Sequence, residues 1–241
     1  KPVHFDEIPP VLRSETGKWF CIHKGTVVIA VNKRLMKSVP TGWKDLLKPE
    51  YRKSIVYLDP RTAGIGYAIV LATAHAMGGS LDNLKPGIEY LAQLQKAGQI
   101  RMIEKTTEYD KFVKGEVPVW ITYDFNAYRA KYVGGLGDDV AIVIPKEGTI
   151  TAPYAISMVK GAPHPNAAKL WLNFILSDEG QKIFAEGFVR PIRNVSFPES
   201  VKDKFLPASE YARAKDINWV KAQEVQPAAA KLWGSMVLGE E

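Results

Sequence analysis

Apolar positions fall into short β-branched runs that alternate with longer segments of helical period. Residues 25–31 (GTVVIAV) are apolar throughout, which predicts a strand buried on both faces, with Asn32 ending it. Residues 54–58, 100–103, 117–122 (VPVWIT) and 140–144 are further strand-length runs. Between them, residues 65–77 carry apolar side chains nearly all round, as a helix packed inside an α/β layer does, and Gly78-Gly79 supplies its stop. From Pro86, the positions Ile88, Leu91, Leu94 and Gln95 keep helical spacing until Gly98. Short helices are predicted over 43–47, from a Thr107 cap through Val113, and over 125–132. The alternation predicts an α/β fold with mostly parallel strands.

Further on, residues 150–159 form a strand long enough to cross between two lobes. Residues 166–176 and 177–187 are then two amphipathic helices in tandem, closed by Gly187 and followed by the turn Val189-Arg190-Pro191, and the last third is largely helical through 222–237. No internal repeat, low-complexity tract or Ser/Gly linker occurs, so two lobes would be joined by strands.

Composition narrows the classes. The 241 residues, 46% hydrophobic and 24% charged, suffice for one large domain or two smaller lobes. No run reaches the ~18 uninterrupted apolar residues of a membrane span. The opening KPVHFDEIPP lacks the basic-then-apolar pattern of a secretion signal. A lone Cys21 excludes an internal disulfide or multi-cysteine metal site and fits either cytoplasm or periplasm. The net charge of +6 favours an anionic partner, but basic residues such as Lys33-Arg34 and Arg129/Lys131 are scattered among acids, which argues against nucleic acid.

Candidate chemistry concentrates at residues 58–68, LDPRTAGIGYA, where a strand meets a helix through a turn of small residues. Asp59-Pro60 breaks the strand, Thr62 offers a hydroxyl, and Gly64 and Gly66 let backbone N–H groups at a positive helix start approach an anion. The alternative is a turn with a purely structural use of glycine and threonine. A second strand-to-helix junction carries Tyr123, Asp124 and Asn126, at a sheet edge where α/β folds bind ligands; alternatively Asp124 caps the helix and Tyr123 packs beside it. Enzyme signatures are missing: His4, His23, His75 and His164 show no metal spacing, no serine sits in a G-x-S-x-G elbow, Cys21 has no evident activator, and no carboxylate pair is marked as acid and base.

Residues 174–191, FILSDEGQKIFAEGFVRP, form a helix-helix corner whose S-x-E-G-Q-x-x-F pattern resembles the type II periplasmic solute-binding proteins of bacterial ABC importers. The resemblance extends through TVVIAVN, PTGWKDLLKPEYR, DPRTAGIG, GGSLDNLKPGIEYL, KGEVPVWITYDFN and IPKEGTITAPYAISMVKGAPHPNAAKLWLNFI to VRPIRN. It implies a two-lobed type II fold with crossing strands, residues 1–31 and 150–241 forming the first lobe and 32–149 the second. The family's initial β-α-β-α-β unit has no counterpart, so the chain is expected to be an N-terminally shortened version whose first lobe leaves helix faces and a sheet edge uncovered.

The resemblance also implies ligand oxygens at the start of the 65–77 helix, engaging Arg61, Thr62, Ala63 and Gly64, although Ala63 and Ile65 stand where many relatives carry hydroxyls. Iron(III)-binding relatives have adjacent tyrosines at the second junction; Phe125-Asn126 here disfavours iron. Tyr154, His23 and Arg190 map to the cleft, each with a packing role as the alternative. The implied function is periplasmic solute capture by a monomer, without catalysis, cofactor or metal, in which ligand contacts favour the closed state offered to an inner-membrane permease. The expected solute is small and polar with an anionic phosphate or phosphonate end. A polyamine or iron(III) is the alternative within the family, and a phosphate-ester enzyme the alternative outside it.

Overall fold

The computed structural model describes residues 1–240. In chain order its principal elements are β1 (Trp19–Asn32), β2 (Ile55–Leu58), α1 (Gly64–Ala76), α2 (Lys85–Lys96), β3 (Ile100–Glu104), α3 (Tyr109–Val113), β4 (Val119–Tyr123) and α4 (Asp124–Tyr132). There follow β5 (Val140–Val143), β6 (Thr149–Ser157), α5 (Pro165–Leu176), α6 (Asp178–Glu186), β7 (Arg190–Pro191), α7 (Ala208–Tyr211), β8 (Ala214–Lys215) and α8 (Trp219–Trp233). The chain divides into two compact units, one of Lys1–Gly25 and Ala152–Leu206, the other of Thr26–Thr151 and the chain from Pro207 onward.

In the larger unit the strand order runs β3-β2-β4-β1-β6-β8, with β5 also pairing to β1. Strand β2 is parallel to β3 and β4, with Ile55 opposite Val119 and Val56 opposite Trp120. The expected all-round burial of the first strand holds, since Val27, Val28, Ile29, Ala30 and Val31 are fully buried. Its direction departs from the mostly parallel expectation, because β1 runs antiparallel to both β4 and β5. A crossover helix enforces parallel neighbours, whereas β1 enters the unit as one continuous strand. Helix α1 buries Tyr67 through Ala74.

The C-terminal helices correct the expected division. The sequence predicts residues 150–241 as one continuous piece of the first lobe, yet the chain beyond Leu206 packs on the larger unit. The Tyr67 hydroxyl donates to the carbonyl of Ala222. Fully buried Trp233 meets Tyr57 edge-on, with ring centroids 6.5 Å apart. Strand β8 adds to β6 through Thr149 and Ile150. The first two contacts join aromatic positions of α1 and β2 to parts of the chain more than 150 residues later, a pairing no local pattern announces.

The smaller unit is organised by the α5–α6 corner. The Ser177 hydroxyl accepts from the Gly180 N–H at 3.1 Å and so caps α6. A Cβ on Gly180 would lie 2.1 Å from the carbonyl oxygen of Phe174, so only glycine lets the helices turn this tightly. Gln181 is completely buried. Its amide nitrogen donates to the carbonyls of Ile22 (3.0 Å) and Ile175 (2.9 Å), and its oxygen accepts from the N–H groups of Ile192 (2.9 Å) and Arg193 (3.1 Å). One side chain thereby stitches β1, α5 and the chain after β7 around the core of Phe5, Ile8, Phe20, Cys21, Leu176 and Ile192. Gly187 ends α6 with an ordinary φ of −80°, and the left-handed residue is Phe188 at +61°. Thr107 likewise gives way to Glu108 as the residue preceding α3.

Gly180→Ala is expected to destabilise the protein by about 2 kcal/mol, the scale of a small-to-large clash in a packed site. Urea unfolding checks this, and an unchanged midpoint contradicts the corner geometry.

Candidate functional site

The turn after β2 is folded by Asp59. Its backbone carbonyl accepts from the N–H groups of Thr62 (3.2 Å) and Ala63 (3.0 Å), and its carboxylate accepts from the N–H of Arg61 (2.8 Å). The Arg61 guanidinium closes a fork on the same carboxylate, Nε to Oδ1 at 2.9 Å and Nη2 to Oδ2 at 2.6 Å. Burial pushes the Asp59 carboxyl up, but the hydrogen bonds from Arg61 outweigh it and hold it below the usual carboxylate range.

Ala63 is the extended residue before α1 and has no capping side chain. The N–H groups of Gly64, Ile65 and Gly66 therefore open a 13-residue helix with no acceptor one turn earlier. A Cβ on Gly66 would stand 2.3 Å from the carbonyl oxygen of Leu58, so glycine lets the helix start press onto the strand end. At Gly64 the opposite holds: nothing lies within 4 Å of where a Cβ would be. Thr62 and Gly64 are exposed, and the Thr62 hydroxyl has only a long 3.4 Å contact to the Asp59 carbonyl. Backbone donors, a rotatable hydroxyl and open space suit a small oxyanion.

Arg61 differs from its expected role. Besides its fork on Asp59, its Nη1 donates to Glu240 at 2.6 Å, and the guanidinium lies 5.1 Å from the Trp233 ring centroid. Hydrogen bonds to Asp59 and then Glu240 hold its pKa above the ordinary value. Its charge is engaged within the protein.

The second junction stands at the same sheet edge, because β2 and β4 are parallel neighbours. Asp124 is fully buried as the first residue of α4. Its Oδ1 accepts from the N–H groups of Thr26 (2.9 Å) and Phe125 (3.0 Å), and its Oδ2 from the Tyr211 hydroxyl (3.1 Å), which lies 2.8 Å from that of Tyr128. The carboxylate ties β1, α4 and α7 together. Tyr123 is buried and stacks on Phe125 at 5.4 Å, and the Asn126 amide donates to the Thr122 hydroxyl at 3.0 Å. Tyr211 and Thr26 carry no local sequence signal: one follows a proline in a polar stretch, the other enters through its backbone.

The remaining candidates lie in the smaller unit. The His23 ring stacks on Tyr154 at 4.4 Å and meets Phe184 of α6 at 5.2 Å. Burial pushes the imidazole pKa down to about 4. In the β1–β7 ladder His23 faces Pro191 and Lys24 faces Arg190, so Arg190 shares a face with Lys24 while His23 points to the opposite one. His23 and Arg190 thus do not converge on one side of the ladder, whereas His23 and Tyr154 do come together. Tyr154 is 37% exposed. Among the described residues no group of three His, Cys, Asp or Glu is placed to hold a metal ion. No helix among them is long and apolar enough to cross a membrane.

A family model described as bacterial extracellular solute-binding protein matches residues 2–225. A Salmonella typhimurium protein named "Putative 2-aminoethylphosphonate-binding periplasmic protein" is 29% identical over 202 residues, 81% of this chain and 55% of its own. The spermidine/putrescine-binding periplasmic protein of Escherichia coli is 26% identical over 189 residues, 76% of this chain and 53% of its own. The chain therefore spans about half the length of these relatives. Among solved structures, the periplasmic binding protein AfuA of Actinobacillus pleuropneumoniae, with fructose-6-phosphate bound, superposes with a TM-score of 0.81 at 21% identity, over 98% of this chain and 75% of that one, and shares the fold. The ferric binding protein of Campylobacter jejuni gives a TM-score of 0.73 at 25% identity over 98% and 77% of the two chains.

The depressed His23 pKa makes a stability prediction. The unfolded imidazole takes up a proton near pH 6.5 and the folded one only near 4, so stability is fully present above pH 6.5 and falls as pH drops through that window. Denaturant unfolding of wild type against His23→Phe checks this, and the substitution is expected to remove part of the loss.

Proposed function

The chain belongs to the bacterial extracellular solute-binding protein family, and from that premise we propose that it is the periplasmic substrate-binding component of an ABC importer. Its solute is small and polar with a phosphate or phosphonate end, gripped at the start of α1 and handed to a membrane permease; no bond is made or broken. The open space at Gly64, in front of unpaired helix-start N–H groups, carries the proposal. Phosphorus oxyanions also recur among its relatives, in the name of the aminoethylphosphonate protein and in the sugar phosphate bound to AfuA.

A polyamine is less well served. Two carboxylates stand at this edge, and both are engaged: Asp59 is forked by Arg61, and the two oxygens of Asp124 accept three hydrogen bonds. For iron(III), no group of three His, Cys, Asp or Glu among the described residues is placed to hold the ion.

Gly64→Val sets its Cβ in open space, so folding is expected to survive while affinity for 2-aminoethylphosphonate or fructose-6-phosphate falls about 100-fold, the cost of losing two or so charge-assisted hydrogen bonds. Thr62→Ala is expected to lose several-fold. Calorimetric titration decides: unaltered anion binding in Gly64→Val, or tight putrescine binding abolished by Asp124→Ala, overturns the assignment.

A further inference from the structure

Glu240 lies beyond every sequence motif, yet it touches the candidate site. Its carboxylate holds Nη1 of Arg61, the one guanidinium nitrogen not joined to Asp59. The two partners differ in kind. Asp59 is 5% exposed and held by a fork, whereas Glu240 is 51% exposed and held by a single nitrogen at 2.6 Å. A half-exposed single-contact pair is worth little and exchanges readily.

Charge makes the exchange matter. One guanidinium facing two carboxylates leaves the trio with a surplus negative charge, only partly offset by Lys105, which acts on Asp59 through space. That surplus is centred on Arg61, three residues before Gly64 opens α1, where an oxyanion is expected, and it repels one.

We propose that Glu240 is an internal stand-in for the solute's anion: the incoming phosphate or phosphonate takes Nη1 of Arg61 from Glu240, so that Arg61 becomes a ligand-binding residue and Glu240 a built-in competitor. Asp59 keeps its fork and aims the guanidinium throughout. Trp233, 5.1 Å beneath it, supplies a flat floor. This deepens the proposed function and rests on it. The consequence is a lowered affinity tuned by one exposed side chain, with selectivity for ligands anionic enough to outcompete a carboxylate.

The test titrates 2-aminoethylphosphonate and inorganic phosphate into wild type, Glu240→Gln, Arg61→Lys and the double variant. Glu240→Gln is expected to tighten binding about fivefold at low ionic strength, with the gain shrinking in high salt. Arg61→Lys is expected to weaken binding, and in that background Glu240→Gln gives no gain, since a lysine cannot hold both Asp59 and the ligand as the planar fork does. Glu240→Asp, one methylene shorter, reports the same direction should the glutamine disturb the chain end. If wild type binds these anions and Glu240→Gln binds them equally or more weakly, Glu240 is a structural strap and the inference falls while solute capture stands. If neither protein binds any phosphorus oxyanion, both fall.

Discussion

The forked pair between Asp59 and Arg61 is the constraint on which the candidate site depends. A carboxylate only 5% exposed at the end of a buried strand is costly unless its oxygens are satisfied. Here the guanidinium and the N–H of the same arginine, two residues on, satisfy it, and the Asp59 carbonyl gathers the next two N–H groups. Folded by its own first residue, the turn leaves the N–H groups that open α1 unspent. Gly66 then brings the helix start against the strand end, and Gly64 keeps the front clear. Binding capacity arises because the local chain needs nothing from those donors.

Asp124 shows the opposite economy at the neighbouring strand end. It resembles a ligand-binding acid in sequence, but its oxygens organise the protein, drawing in the backbone of Thr26 and the hydroxyl of Tyr211. Two strand-to-helix junctions on adjacent parallel strands therefore differ in what they leave available: the first exposes donors, the second consumes an acceptor. That contrast favours an anionic solute over a polyamine, and it follows from hydrogen-bond satisfaction rather than from residue type.

Local patterns in the sequence carried much of the fold. The buried strand at 27–31, the all-round apolar helix starting near Gly64 and the Ser177 cap are visible because periodicity and capping act within a few residues. The corner signature is legible for the same reason, and Gly180 and Gln181 show what it encodes: a steric limit and a four-bond amide hub. Long-range facts were not legible. The antiparallel sense of β1, the attachment of the last helices to the larger unit, and the partners Tyr211 and Glu240 all join residues with no shared local pattern. Arg61 was visible as a cation, but its double engagement depends on a residue 179 positions away. His23 was visible as a histidine, and only the Tyr154 and Phe184 rings around it show why it stays neutral.

The attachment of α8 to the strand-and-helix layer of the larger unit also orders events in time. Trp233 packs on Tyr57, and between them the chain must first complete the whole 152–206 segment of the other unit. A ribosome releasing this polypeptide delivers the early aromatic face long before the late helix that covers it. The larger unit therefore cannot finish its hydrophobic core before α8 is made, and its maturation waits on synthesis of the chain through Trp233, a route on which contacts between distant positions make folding slow.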